Sequence, residues 1–360
     1  MAREPVRLGV VGNGWRAQFY LRLAAALPEQ LSLVGVVTRR SEPGDELEAR
    51  WGVPSYRSVG ALVHARRPEL VVSSVPWDAN PEIVTALVAE GVAVVSETPP
   101  APDREALRAL WATVGGAGLV QVAEQYLLLP GHAARCEVVR RGTIGTPTSV
   151  QVSSTHGYHA VALMRGLLGA GFGPTTVSAR AFTAPLVDPM VRDGWTDDLE
   201  PRAAATVLAT VDFGATSGLY DFTDNQWHNQ LRARRIVVRG SRGEIVDDDV
   251  ISLVDARTIL RRPITRWRSG YDLNLDGYDT EHLSLDGSVL WRNPFGGSRL
   301  SDEEIAISTL LVQAAAWVHG EGAGPYPLAE ACQDHLVSLA IDEAVRTGET
   351  VVTSSEAWGR

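Results

Sequence analysis

Leu8-Gly9-Val10-Val11-Gly12-Asn13-Gly14-Trp15-Arg16-Ala17 opens the chain with an apolar run, two closely spaced glycines and the start of a helical pattern. In a strand–turn–helix setting, Gly12 permits the tight turn and Gly14 leaves the backbone bare to a ligand. Ala17 lets helix and strand approach, and the amides of a helix N-terminus face an anion. A plain structural turn is the other reading of such glycines, so the surroundings decide. Apolar strands near 6–11, 32–37, 70–75, 92–96 and 118–122 alternate with helical stretches near 15–27, 43–51, 80–90 and 103–114. Another helix follows near 131–141, and Asp103 with Glu105 reads as a capped helix start. This alternation predicts a parallel sheet covered by helices, a Rossmann dinucleotide-binding domain over residues 1–125.

The second strand runs into Thr38-Arg39-Arg40-Ser41. An NAD site carries Asp or Glu here to bind the ribose 2′-hydroxyl, and that carboxylate would repel a 2′-phosphate. Thr38 followed by two guanidiniums predicts NADP in preference to NAD, with NAD still possible; a solvated basic loop is the alternative.

After Gly145 the pattern changes to longer alternating runs, 148–155, 176–183, 203–213, 217–222 and 231–238, the mark of a mostly antiparallel open sheet with one covered face. Residues 126–360 are therefore expected to form an α+β substrate and oligomerisation domain. Its closing helices near 301–319 and 327–347 have the option of returning to the first domain. The stretch 184–202, with three prolines, reads as a loop, and 267–300 is rich in Gly and Asp.

The 360 residues carry a net charge of −10, which argues against a nucleic-acid partner. No apolar run is long enough to span a membrane. A strand pattern beginning at Val6 leaves no expected room for a signal peptide, and two cysteines, Cys136 and Cys332, make no disulfide framework; a cytoplasmic protein is expected. Spacings for zinc or calcium ligands are missing, so no metal is expected. All 33 basic residues are arginine, which rules out a lysine of this sequence as Schiff-base former or general acid.

Several spaced motifs follow the fingerprint in order: Ser73-Ser74-Val75-Pro76, Glu97-Thr98-Pro99, Val122 to Pro130, Gly142-Thr143-Ile144-Gly145, and Gly157-Tyr158-His159 ending at Leu168-Gly169. The set is similar to the glucose–fructose oxidoreductase / inositol dehydrogenase / MocA (Gfo/Idh/MocA) family. The resemblance implies a Rossmann domain, an open-faced sheet that often makes dimers or tetramers, and hydride transfer between a nicotinamide and a sugar, inositol or related carbonyl compound. It also implies cofactor contacts from Ser74, Val75, Pro76, Trp77, Asn80, Glu97, Thr98 and Gln125, besides the fingerprint residues Gly12, Asn13, Gly14, Trp15 and Arg16. The family's Glu-Lys-Pro is here Glu97-Thr98-Pro99, so its catalytic lysine is Thr98. Thr155 and Ala162 stand where the family often has Asp. Trp77 and Asn80 replace its Asn and His, and Gln125-Tyr126-Leu127 its Asn-Arg-Arg-like stretch.

His159 is what remains of that acid–base set, and an imidazole suits proton exchange at neutral pH. His156 lies one turn earlier, and the Tyr126 hydroxyl is a second candidate proton donor; packing roles compete for all three. Thr98 can hydrogen-bond but cannot supply a cation, which leaves Arg165 or Arg202 as candidate substitutes. Trp77 and Trp195 are candidates to line a sugar pocket. Arg232, Arg234 and Arg235 read as a strand edge, Asp247-Asp248-Asp249 as a turn, and Gln333-Asp334-His335 as a helix surface. Three functions follow: an NADP(H)-dependent oxidoreductase with an atypical site, a lyase or glycosidase with an internal redox cycle, and a non-catalytic cofactor-bound sensor.

Overall fold

The computed structural model describes residues 4–270 and 277–359. Two units divide the chain: residues 1–128 with 301–332, and residues 129–300 with 333–360. Part of the Gly- and Asp-rich 267–300 stretch, at 271–276, lies outside the described residues.

In the first unit, strands β1 (Val6–Val11), β2 (Leu31–Val37), β3 (Ser55–Tyr56), β4 (Leu70–Ser73), β5 (Ala93–Ser96) and β6 (Val120–Val122) form a parallel sheet in the order β3-β2-β1-β4-β5-β6. Helices α1 (Trp15–Ala26), α2 (Ser41–Trp51), α3 (Val59–Arg66), α4 (Asn80–Ala89) and α5 (Arg104–Val114) make the crossovers. The strands are apolar on both faces, as in β4 and β5, whose residues are all buried. Such strands need helices on either side. The two-residue β3 and the eight-residue α3 are absent from the sequence reading because neither is long enough to show a period. Asp103 caps α5 as expected, its carboxylate accepting from the Ala106 amide at 2.9 Å.

The second unit begins with α6 (Pro130–Arg140), β7 (Pro147–Ser153) and α7 (Gly157–Leu168), and continues with β8 (Thr176–Leu186), a small hairpin of β9 (Met190–Val191) and β10 (Gly194–Trp195), β11 (Arg202–Asp212) and β12 (Ser217–Thr223). The strands β13 (Arg235–Gly240), β14 (Gly243–Val246), β15 (Asp249–Asp255) and β16 (Thr258–Pro263) lead to a separate three-stranded sheet of β17 (Thr265–Ser269), β18 (Asp279–Leu285) and β19 (Ser288–Arg292). Helix α8 (Asp302–Val318) lies in the first unit. Helix α9 (Leu328–Thr347) supplies residues to both, and β20 (Val351–Val352) closes the large sheet. Its nine strands run β16-β15-β14-β13-β7-β12-β11-β8-β20, antiparallel except for β7 beside β12. Helix α7 covers one face so closely that a Cβ on Gly218 would meet the Met164 sulfur at 2.5 Å. On the other face Phe182, Leu208 and Leu219 are exposed.

Three readings change. Residues 184–202 are not one loop, since they contain the end of β8 and the β9–β10 hairpin. The 267–300 stretch holds β18 and β19, whose turn glycines mask short strands. Of the three clustered arginines, Arg232 and Arg234 precede the strand and only Arg235 lies on it, opening β13.

Candidate functional site

The loop between β1 and α1 is shaped by its glycines. Gly12 has φ +123°, and a Cβ there would sit 2.0 Å from the Ser74 carbonyl oxygen, so only glycine fits. Gly14, the α1 N-cap, has nothing within 4 Å of a Cβ position and leaves the first turn without a side-chain cap or an acid. Asn13 and Trp15 lie exposed in the same turn. The α1 amides and the positive end of its dipole are thus presented to an anion, which is the cradle a pyrophosphate requires.

At the end of β2, Thr38 is buried, and its hydroxyl donates to the Arg40 carbonyl (2.8 Å) while accepting from Arg57 Nη1 (2.9 Å). Arg39 and Arg40 are exposed. Arg57, just after β3, also reaches Ser55 Oγ (3.2 Å) and Asp45 (3.5 Å). Three guanidiniums therefore gather where an NAD site would carry a carboxylate. Arg57 gave no signal as a motif. Gly44, in the first turn of α2, was the readable sign of a close approach, since a Cβ there would lie 2.5 Å from Arg57 Nη1 and 2.7 Å from the Thr38 hydroxyl.

The ends of β4, β5 and β6 form the other half of this edge. Ser74, Val75, Pro76 and the exposed Trp77 follow β4. Asn80 does not face a cofactor, as its sequence reading had it. Its amide is spent inside, accepting from Ser73 Oγ (2.8 Å) and donating to Ser96 Oγ (2.8 Å) and the Pro100 carbonyl (2.9 Å). The side chain instead ties the ends of β4 and β5 together. Glu97 accepts from the Tyr20 hydroxyl (2.6 Å) and the Thr98 amide (3.1 Å), and pairs with Arg16 Nε at 3.1 Å. Arg16 also pairs with Glu303 (2.8 Å). With the Gln125 amide oriented so that its nitrogen donates to the Ala123 carbonyl, its oxygen accepts from Arg16 Nη2 at 3.2 Å. Glu124 is buried beside this cluster and accepts from the Tyr126 amide (3.0 Å). Burial pushes its carboxyl up to about 8, against the opposing pull of that amide and of Arg16.

In the second unit His156 occupies the N-cap position of α7 without a side-chain capping bond, and His159 lies in its first turn, ring centroids 5.1 Å apart. Trp227 (4.7 Å), Tyr158 (5.3 Å) and Phe222 (6.1 Å) surround the His156 ring. Its Nδ1 is buried with no hydrogen-bond partner. Burial, then the neighbouring His159, pulls its pKa down to about 3, so it is a neutral imidazole at physiological pH. The two arginines suggested as lysine substitutes are engaged elsewhere. Arg165 makes a buried ion pair with Asp334 (2.6 Å), and Arg202 pairs with Asp198 at the surface. Gln333, Asp334 and His335 are buried core residues and not a helix surface; pairing with Arg165 is what lets the acid lie inside. Trp195 is highly exposed. Among the described residues no cluster of His, Cys, Asp and Glu is arranged to hold a metal ion.

A sequence model described as oxidoreductase family, NAD-binding Rossmann fold (Gfo/Idh/MocA) matches residues 6–125. That segment is similar to the Rossmann domain of the Gfo/Idh/MocA family. L-aspartate dehydrogenase 1 of Bordetella parapertussis is 32% identical over 155 residues, which cover 41% of this chain; the chain spans 57% of the length of that curated relative. The whole fold is that of several solved structures. Levoglucosan dehydrogenase in its apo form superposes with a TM-score of 0.73 at 18% identity, covering 99% of this chain and 100% of that one. The same enzyme with NADH and levoglucosan gives 0.71 at 17% identity, covering 97% and 99%. An oxidoreductase domain protein from Kribbella flavida gives 0.72 at 18% identity, covering 98% and 100%. The match of the first segment and the shared fold of the whole chain thus agree with the motif order.

Proposed function

We propose that the protein is an NADP(H)-dependent oxidoreductase moving hydride to or from a small polyol, sugar or related carbonyl compound, at a site built without the family's lysine. The observation that carries this reading is the uncapped α1 N-terminus over Gly12 and Gly14, continuous with the arginine-rich end of β2. A bound nicotinamide would supply or accept the hydride. The α1 amides hold its pyrophosphate, and Arg39, Arg40 and Arg57, with Thr38 fixed between them, hold a 2′-phosphate. Ser74, Val75, Pro76 and Trp77 line the edge beyond.

Neutral His156 and the adjacent His159, at the start of α7, are the candidate groups that orient a substrate hydroxyl and exchange its proton. Tyr126 is the second candidate hydroxyl donor. The exposed face of the nine-stranded sheet serves self-association, with a homodimer or homotetramer expected. Among the described residues no helix is long and apolar enough to cross a membrane, and a cytoplasmic setting suits the two free cysteines.

The test is absorbance-monitored oxidation of NADPH and NADH, or the reverse, over a panel of polyols, anhydrosugars and L-aspartate. Turnover with a carbohydrate and a preference for NADPH support the reading. Turnover on L-aspartate alone would overturn the substrate class, and product formation without net cofactor turnover would favour the internal redox cycle. His159→Ala should then lower turnover by about 10²–10⁴-fold, the range for a general acid or base.

A further inference from the structure

Thr98 stands where the resembling family carries lysine, and a cation, Arg16, comes from the helix that follows β1, two strands from β5. Arg16 stands in the first turn of α1 with its side chain only 17% exposed, held by Glu97 and Glu303 and flanked by the rings of Trp15 (4.8 Å) and Phe19 (5.5 Å). One carboxylate binds both Arg16 and the backbone of residue 98: Glu97 Oε1 meets Arg16 Nε at 3.1 Å, and Oε2 accepts from the Thr98 amide at 3.1 Å. The guanidinium therefore sits one carboxylate away from the position that lacks a cation. Burial works against its charge, but Glu97 and Glu303 outweigh that and raise its pKa, so Arg16 is always charged.

A dinucleotide crosses such a sheet where the strand order reverses, here between β1 and β4. The β2 end takes the adenosine ribose, so the nicotinamide half lies over the ends of β4, β5 and β6. Arg16 joins those ends through Glu97 and Gln125. We infer that Arg16 supplies the positive charge that Thr98 does not, and that it is the positioning residue that biases this site toward reduced, uncharged nicotinamide. Without it Glu97 and Glu303 would present only carboxylates, a field that favours the cationic oxidised ring. The inference rests on the dinucleotide reading above.

The experiment is calorimetric and fluorescence titration of the full chain with NADP and NADPH. Arg16→Met should raise the affinity for oxidised relative to reduced cofactor by about three- to tenfold, the size of one screened charge at several ångströms. Arg16→Lys should keep the native ratio. Thr98→Lys on the Arg16→Met background should restore it, because the charge returns from the neighbouring position. Equal weakening of both forms by Arg16→Met, with the ratio unchanged, would reduce Arg16 to a structural tie and overturn the inference alone. If Arg16→Met does not fold, the double variant decides: a folded protein with the native ratio supports the inference, and an unfolded one or a changed ratio overturns it. Wild-type protein that binds neither cofactor would overturn the dinucleotide reading and this inference with it.

Discussion

The two ends of the first unit's sheet edge use the same side chain in opposite ways. After β2, Arg39 and Arg40 stand in solvent, and Arg57 is held by the Thr38 hydroxyl, Ser55 and a long pair with the exposed Asp45. In the first turn of α1, beside the end of β5, Arg16 is enclosed and matched to two carboxylates. An exposed guanidinium keeps its donors for a ligand phosphate and adds little to stability. An enclosed one has spent its donors within the fold, and its remaining influence is its field. Burial, more than residue type, separates recognition from tuning. The second unit repeats the contrast, with Arg165 buried against Asp334 and Arg202 paired at the surface.

The largest effect should come from breaking the deepest pair. Arg165→Met removes the ion pair of the buried Asp334 and should cost about 3–5 kcal/mol in denaturant unfolding. A loss under about 1 kcal/mol would mean that burial is not what sets the worth of these arginines.

Next in size is the exposed group. Arg39→Ala and Arg40→Ala should each weaken NADP binding by about 1.5–3 kcal/mol, the range of a charge-assisted contact, and leave NAD affinity and folding nearly unchanged. Calorimetry with both cofactors checks this, and equal losses for NADP and NAD would place these arginines away from a 2′-phosphate. Arg57→Met on the same measure asks whether the tethered guanidinium belongs with them.

Proton linkage sharpens the comparison further. Glu124, held near 8 in the fold against 4.5 as an ordinary carboxyl, contributes stability below about pH 4.5 that is lost as the pH rises through 8. Glu124→Gln should therefore gain on wild type by at least about 1 kcal/mol between pH 5 and 8.5 in unfolding experiments. A pH-independent difference would show that this carboxyl titrates normally. His156 and His132 run the other way. Burial pulls both down to about 3 from 6.5, so their contribution is present above pH 6.5 and lost as the pH falls toward 3. The smallest effect belongs to Arg202→Met, which should change stability by less than about 0.5 kcal/mol, as expected of an exposed pair.

Much of this was legible in the residue order. The fingerprint, the β/α alternation and the shift to long alternating strands after Gly145 carry their own periods, and the predicted strands of the first unit match the observed ones to within two residues. The β3–α3 pair and the later hairpins escaped because elements of two to eight residues hold too little pattern. The site was legible only in part. Thr38, Arg39 and Arg40 are contiguous, whereas Arg57 reaches them only through folding, and Asn80 looks like a ligand until its three buried bonds are seen. The Arg16–Glu97–Glu303 cluster joins residues nearly 300 positions apart, a separation no local motif records.

The nine-stranded sheet carries a last consequence in its borders. One border is the two-residue β20, and the other is β16, whose Thr258–Pro263 run ends in two arginines and a proline. Arg261 and Arg262 are pinned to Asp249 and Asp286, and the proline has no amide hydrogen to offer. Neither border is a good template for strand addition. Open-ended, fibre-like growth along the sheet is therefore disfavoured by the make-up of both of its borders.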